Sequence, residues 1–266
     1  MSVLSRRLSP RSFSLCVRSR APIFCYLCGK RKIAGTDRKA KMKNILTFLD
    51  ALRRHNDRTW FEANKNRYRD AKGEFDEFVG RLIAGIASFD AEVAGLDVRD
   101  CTYRIYRDTR FSADKSPYKT HMGAYVCRGG KKSGYSGYYF HLEPRGEGYL
   151  GGSMIVTGMY MPPSPVLRSI REEIADNGEG FLETLAAAEG FELNRDAVLR
   201  RVPAGFPADS PYAEYLKLKN VYLERAADED FLLRPDMLER TVRAFETTLP
   251  FNRLINRAVE YAYGNE

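Results

Sequence analysis

The 266-residue sequence contains no long apolar run, only five cysteines and only three histidines. No apolar stretch approaches the roughly 18 residues that a membrane-spanning helix requires, so we expect a soluble protein with no membrane partner. The odd number of cysteines, without regular spacing, argues against a framework of disulfide bonds. It is typical of a reducing compartment such as the cytoplasm.

Acidic residues are nearly absent from residues 1–41. Asp37 is the only acid in that segment, whereas eleven Lys and Arg lie there, so residues 42–266 hold 32 basic and 34 acidic side chains. The net charge of +8 for the whole chain therefore comes from the first 41 residues. This distribution argues against a globally basic nucleic-acid-binding domain, because the cations of such a domain should lie on its folded part.

Two interpretations of residues 1–41 stay open. An Arg- and Ser-rich composition is found in organellar transit sequences, in which case the protein would be imported. Alternatively the segment is a disordered or non-native extension, because MKNILTFLDALRR, starting at Met42, begins an amphipathic helix. We favour the extension. Cys25 and Cys28 resemble half of a zinc site but lack two further ligands nearby. We predict a single domain at residues 42–263 and a cytoplasmic protein unless residues 1–41 are a presequence.

Hydrophobic spacing predicts helices, then strands, then helices. Apolar residues three to four positions apart indicate helices from Met42 onward, and we expect Trp60, Phe61 and Tyr68 to belong to the core. Period-two alternation and glycine-rich turns predict strands at residues 101–106, 122–127, 138–143, 149–161 and 221–224. This order favours an α+β domain with a central, mainly antiparallel curved sheet, flanked by N- and C-terminal helices.

The densest group of cations lies in Tyr103–Tyr125, YRIYRDTRFSADKSPYKTHMGAY. A guanidinium fork bonds two oxygens of a planar anion, and an adjacent aromatic ring shields it from water. We therefore predict a cleft that binds a small ligand carrying a phosphate or carboxylate, with one arginine held in place by Asp108. The candidate ligand-binding residues are Arg104, Arg107, Asp108, Arg110, Lys115, Tyr118 and Lys119. Alternatively, these charges pair with acids elsewhere in the chain and serve only the structure.

A second candidate group contains His121, His141 and Glu143. His141 and Glu143 lie at i and i+2 in a predicted strand, so they share one face of the sheet. Two imidazoles and a carboxylate divide acid and base roles in catalysis, or bind zinc or iron(II). We name all three as candidate catalytic residues and assign no metal or cofactor, because a third ligand depends on strand pairing. An ordinary hydrogen-bonded strand histidine is the alternative.

Several motifs together resemble one uncharacterised family. They are NDRTWFEANKNRY (56–68), YRIYRDTRFSADKSPYKTHMGAYV (103–126), GYYFHLEP (137–144), the GGS to MYMPP stretch (151–163) and EEIADNG (172–178). By these motifs, residues 45–257 are identified as similar to the domain-of-unknown-function 2461 family of conserved hypothetical proteins. The resemblance implies a single domain over that range. It implies no catalytic residues and no cofactor.

Two classes of function fit these observations. The first is a small enzyme or ligand-binding protein acting on a phosphorylated or carboxylated metabolite. The second is a non-catalytic nucleic-acid or protein-interaction module, with tyrosines stacking on bases. The near-neutral charge of residues 42–266 favours the first, and a deep pocket rather than a shallow groove would support it. For that function, one concave site should bring together Arg104, Arg107, Arg110, Lys119, His121 and His141.

Overall fold

A computed structural model describes the backbone of residues 31–264 and the side chains of residues 39–264. The first helix, α1, spans Arg31–Arg54 and so begins earlier than the predicted start at Met42. From Met42 onward its apolar stripe is buried, as the spacing predicted. Residues 1–30 of the predicted extension lie outside the described residues, and the domain boundary at Met42 stays a prediction.

Three helices and a 3-10 turn follow α1 and lead to the sheet. They are α2 (Arg58–Ala63), α3 (Lys65–Ala87), a 3-10 turn (Ala91–Val93) and α4 (Val98–Cys101). Helix α2 begins after Asp57, whose carboxylate accepts a 2.8 Å hydrogen bond from the backbone N–H of Trp60. Phe61 is fully buried, as predicted. Trp60 and Tyr68 pack against the same hydrophobic core, as predicted, but each is only partly buried. Adjacent residues point about 100° apart on a helix, so the Trp60 ring lies at the edge of this core and stacks on the exposed His55.

Five strands within residues 31–264 form one antiparallel sheet in the order β1-β2-β3-β5-β4. They are β1 (Met122–Cys127), β2 (Gly137–Leu142), β3 (Met154–Met159), β4 (Glu192–Leu193) and β5 (Val221–Ala226). In β1 and β2, Met122 pairs with Leu142 and Gly123 with His141. The predicted α+β class with an antiparallel sheet is confirmed.

Two predicted strands differ in the structure. Residues 101–106 form no strand: Cys101 ends α4, and only isolated bridges join Thr102 to Ala124 and Tyr106 to Tyr118. Burial does not alternate there, because the consecutive residues Tyr103 and Arg104 are both exposed. The strand predicted at 149–161 begins only at Met154. The residues before it form a loop in which Gly146 and Gly151 adopt positive φ angles of 117° and 78°, a conformation that interrupts a strand.

The remaining helices cover one face of this sheet. They are α5 (Ser164–Asp176), α6 (Gly178–Ala187), α7 (Ala213–Leu216), α8 (Glu229–Leu232), α9 (Met237–Thr247) and α10 (Leu249–Gly264). One hydrophobic cluster joins α1, α3 and α9 to β1 and β2. The other joins α5, α6 and α10 to β5 and the end of β3. Within residues 31–264, no helix is both long enough and apolar enough to cross a membrane.

Strand alternation separates the two faces of the sheet. Along β2, the side chains of Tyr138, Phe140 and Leu142 belong to the hydrophobic core under the helices, which we call the packed face. Tyr139 and His141 lie between them in sequence and therefore point to the opposite side, the cleft face. The cleft face carries the polar side chains.

Candidate functional site

The cleft face is the floor of a cavity with a volume of about 1510 Å³. Its floor residues come from four strands: Gly123, Tyr125, Tyr139, Met154, Val156, Gly158, Tyr222, Glu224 and Ala226. The segment Tyr103–His121 contributes to one wall, and the loop after β2 contributes Gly148–Leu150. The volume exceeds the 300–1,000 Å³ of a typical small-ligand pocket, so the cavity is a broad cleft.

The three candidate catalytic residues lie together, with His121 in the cleft lining and His141 and Glu143 buried next to it. His121 immediately precedes β1, His141 lies near the end of β2, and Glu143 follows β2. The antiparallel register brings these ends side by side, and one ligand atom from each residue lies within 4.8 Å of the others. The His141 Nε2 and Glu143 Oε2 atoms are 3.2 Å apart. These three side chains therefore lie together, but two of the six residues predicted to share one concave site, Arg110 and His141, are not part of the cleft lining.

Glu143 is buried and accepts several hydrogen bonds. Its Oε2 atom accepts from the backbone N–H of Leu150 at 2.8 Å, and its Oε1 atom accepts from the backbone N–H of Tyr149. Burial alone would raise the pKa of Glu143, but the hydrogen bonds from His141 and these two amides outweigh it and lower the pKa to about 2. Glu143 is therefore an ionised, oriented carboxylate at neutral pH.

His121 forms the boundary between this buried group and the cleft. Its ring lies 4.6 Å from the ring of His141 and stacks on Tyr149 at 4.8 Å. Its Nδ1 atom is buried, and no hydrogen-bond partner for it lies among the described residues. Burial, followed by the proximity of His141, lowers the pKa of His121 to about 3. The imidazole is thus neutral at pH 7, with one nitrogen unsatisfied.

Tyr139 orients His141 from the floor of the cleft. The Tyr139 hydroxyl lies 2.9 Å from His141 Nδ1, on the side opposite the nitrogen that faces Glu143. Gly123, the strand partner of His141, leaves room for this hydroxyl, because a Cβ atom at residue 123 would lie 2.6 Å from it. The glycine is therefore required for the close approach of Tyr139.

Lys119 and Arg107 are the cleft cations close enough to His121 for their charges to act on it, and Arg104 lies near Lys119 on the same wall. The Lys119 ammonium lies 5.4 Å from the centre of the Tyr103 ring. Burial, followed by the charge of Arg104, lowers the pKa of Lys119. Neither Lys119 nor Arg104 forms a salt bridge with any carboxylate in the described part of the chain. Lys119 and Arg104 therefore lie near each other without a salt bridge to a carboxylate. Asp108 also lines the cleft, and the charge of Arg104 adds to the hydrogen bonds from Arg110 that lower the pKa of Asp108.

The other predicted ligand-binding residues behave differently. Arg107 lines the cleft but forms an ion pair with Asp114. Asp108 does hold an arginine, as predicted: it binds the Nη2 of Arg110 at 2.6 Å, but the Arg110 side chain is 77% exposed and lies outside the cleft lining. Lys115 is exposed and donates to the Thr109 carbonyl.

Tyr118 serves mainly the core. Its side chain is buried and stacks on Phe61 with ring centroids 3.9 Å apart. Asn56 brackets its backbone, accepting from the Tyr118 N–H at 3.1 Å and donating to its carbonyl at 2.9 Å. The segment Tyr103–Tyr125 therefore divides into cleft-wall residues, self-paired residues and core residues.

Sequence reasoning did not name several cleft residues. Tyrosines contribute much of the surface: Tyr125, Tyr139, Tyr149, Tyr160 and Tyr222 all line it. Acids from β4, β5 and the loop between them line it as well: Glu192, Asp196 and Glu224. The alternation in GYYFHL was the available signal for Tyr139, since it lies two residues before His141. No local signal indicated the acids, because β4 and β5 meet the other strands only through long-range pairing.

The chain matches the family described as "Conserved hypothetical protein (DUF2461)" over residues 44–254. No curated protein matches it, and no solved structure matches it. The matched range begins within α1 and ends within α10, so it contains the whole sheet and every cleft residue named above.

Proposed function

The chain belongs to the domain-of-unknown-function 2461 family, as its motifs predicted, and we propose that its cleft binds a small ligand through a phosphate or carboxylate group. The observation that carries this proposal is the pair Arg104 and Lys119, two neighbouring cations at the cleft wall that form no salt bridge within the described residues. An anion between them would supply the missing charge.

The electrostatic reason is mutual repulsion at a partly buried position. Lys119 is half-buried, and both its burial and the charge of Arg104 lower its pKa, so each disfavours the charged ammonium. An anion within hydrogen-bond distance of both side chains would reverse that effect, because it attracts two cations at once. Arg104 would bind two oxygens through its fork, and Lys119 would act as a point charge.

A small ligand fits this cleft better than a nucleic acid. Cations line the wall near His121, but the acids Glu192, Asp196 and Glu224 line the part formed by β4, β5 and their connection. A polyanion lying along the whole cleft would meet those carboxylates, whereas a ligand with one anionic end would not. The net charge of residues 42–266 also lacks the basic excess of a nucleic-acid-binding domain.

We also propose that His121, His141 and Glu143 act on the bound ligand. His121 is neutral at pH 7 and lines the cleft, so it is suited to accept a proton or a hydrogen bond from a ligand held by Lys119. His141 and Glu143 lie directly behind it. This arrangement makes an enzyme the preferred class for this protein.

The test is calorimetric titration of the purified chain with inorganic phosphate, with acetate and with a short oligothymidylate. We expect phosphate or acetate to bind. Arg104→Met should weaken that binding by about 10- to 100-fold, because a hydrogen bond to a charged group contributes about 1.5–3 kcal/mol. Arg168→Met is the matched control: its exposed guanidinium pairs with Glu172 on α5 and neither residue lines the cleft, so binding should not change.

Two outcomes would contradict the proposal. Equal losses of phosphate affinity in Arg104→Met and Arg168→Met would place the anion outside the cleft. Oligothymidylate binding that depends on Arg104 and greatly exceeds phosphate binding would instead favour the nucleic-acid module.

A further inference from the structure

We propose that His121, His141 and Glu143 form a binding site for one divalent transition-metal ion of the zinc or iron(II) class. This inference goes beyond the proposed anion site and does not depend on it, since none of the three residues is a cation that would hold the anion. The sequence left the third metal ligand open. In the structure Met122 pairs with Leu142, so His121 lies next to the end of β2, where His141 and Glu143 are found.

The donor atoms already lie close to the required geometry. Ligands that surround one zinc ion tetrahedrally at about 2.0–2.1 Å are roughly 3.4 Å from one another. The 3.2 Å separation of His141 Nε2 and Glu143 Oε2 matches this value, and all three donor atoms lie within 4.8 Å. A closure of roughly 1–1.5 Å by the His121 ring would complete the arrangement. His121 is only partly buried and borders the cleft, and this shift would bring its ring toward the other two ligands.

The surrounding groups hold the ligands as metal sites require. A metal-bound histidine typically donates its other N–H to a fixed acceptor. With His141 Nε2 on the ion, its Nδ1–H would donate to the Tyr139 hydroxyl, which already lies 2.9 Å away. Glu143 is held by the backbone N–H groups of Tyr149 and Leu150. The outer contacts therefore orient both buried ligands.

His121 has a buried nitrogen atom, Nδ1, that no hydrogen bond among the described residues satisfies. A buried polar atom without a partner costs free energy, so such atoms are rare unless a ligand or ion satisfies them. His141 and Glu143 satisfy each other, but neither satisfies this nitrogen.

The ligand set selects the class of ion. Two imidazoles and one carboxylate suit zinc, iron(II) or cobalt(II), whereas magnesium and calcium prefer sites made of oxygen ligands. Three protein ligands leave at least one coordination position open, as in catalytic rather than structural metal sites. Because His141 and Glu143 are buried behind His121, that open position would face the cleft.

The experiment uses the full chain, freed of metal with a chelator and kept in phosphate-free buffer. We expect zinc to bind with one ion per chain in a calorimetric titration, and cobalt(II) to bind with a visible absorption spectrum typical of nitrogen and oxygen ligands. Magnesium should not bind comparably. His121→Gln should weaken zinc binding by more than about 100-fold, since loss of an outer-shell partner alone costs 10- to 100-fold.

Two variants sharpen this test. His55→Gln is the matched control, because His55 is the remaining histidine, is exposed and stacks on Trp60 away from the cleft, so zinc affinity should not change. Tyr139→Phe keeps all three ligands and should weaken zinc binding by roughly 10- to 100-fold through the lost outer contact. Circular dichroism of each variant establishes that the fold is retained.

The proposal is overturned if the folded wild-type chain binds neither zinc nor cobalt(II). It is also overturned if zinc binding survives His121→Gln undiminished, and a thiolate-to-cobalt charge-transfer band would then identify cysteines as the ligands. Phosphate binding that persists in His121→Gln leaves the anion site intact, whereas zinc binding that persists in Arg104→Met leaves the metal site intact. Failure of one proposal is thereby distinguished from failure of the other.

Discussion

The packed face and the cleft face of the sheet alternate along the same strands but differ in their physical character. On β2, Phe140 is fully buried and lies 4.7 Å from the ring of Phe78, whereas its neighbour Tyr139 lines the cleft. On β3, Ile155 is fully buried and Val156 lines the cleft. Stability should therefore depend mainly on the packed face, and ligand chemistry on the cleft face.

The two faces are not separated by burial alone. His141 and Glu143 point to the cleft side and are nevertheless buried, at 0% and 1% exposure. Burying polar groups is costly unless they are hydrogen-bonded, and these two residues bond each other, Tyr139 and the loop after β2. The cleft face thus contains a small buried polar region, which the packed face does not share on β2.

The largest expected effect is on the packed face. Phe140→Ala should lower the free energy of unfolding by about 3–5 kcal/mol, because it removes a fully buried ring and leaves a cavity. Urea denaturation followed by circular dichroism measures this loss. Phe111→Ala is the control: that ring is 96% exposed and its removal should change stability very little. Equal effects of the two variants would contradict the assignment of Phe140 to the core.

A polar atom placed on the packed face should cost less than a missing ring. Ile155→Thr introduces a hydroxyl at a fully buried position, where an unsatisfied polar group costs about 1–3 kcal/mol. Ile155→Val separates the loss of volume from the polarity, since it should cost about 0.5–1.5 kcal/mol. A threonine variant that is as stable as the valine variant would show that the hydroxyl finds a partner under the helices.

Removing one hydroxyl from the cleft face should cost about 1 kcal/mol. The Tyr125 hydroxyl lies 2.8 Å from the Gly158 carbonyl oxygen and 3.0 Å from that of Tyr135, so it joins β1 to the turn and to β3. Tyr125→Phe removes this donor and keeps the ring. Tyr160→Phe is the control, because Tyr160 is 66% exposed. Thermal unfolding of the two variants compares their losses of stability. No difference between them would mean that water replaces the lost contact.

A polar substitution on the cleft face should change stability least. Val156→Thr makes nearly the same change as Ile155→Thr at the adjacent residue, but Val156 faces the cleft and is partly exposed. Its free energy of unfolding should stay within about 0.5 kcal/mol of the wild type. A loss of stability as large as that of Ile155→Thr would show that the cleft is closed to water. The cleft face would then contribute to stability as the packed face does.

The packed face was predictable from sequence, whereas only part of the cleft was. Apolar alternation in β1 and β2 and the H-x-E spacing of His141 and Glu143 are local signals, and the structure places these residues as expected. The ion pair between Arg107 and Asp114 depends on the conformation of the loop that joins them, which a period-two strand pattern does not predict. The acids from β4 and β5 reach the cleft only through sheet order, which no local pattern encodes.

The loop after β2 has a further consequence for measurement. Tyr149 and Leu150 are exposed, yet their backbone N–H groups both donate to the buried Glu143 carboxylate. Amide hydrogens on such an exposed loop ordinarily exchange with solvent quickly, but these two can exchange only when the loop lifts away from the carboxylate. Their deuterium uptake therefore reports how often the wall of the cleft opens, without any label or ligand attached to the protein.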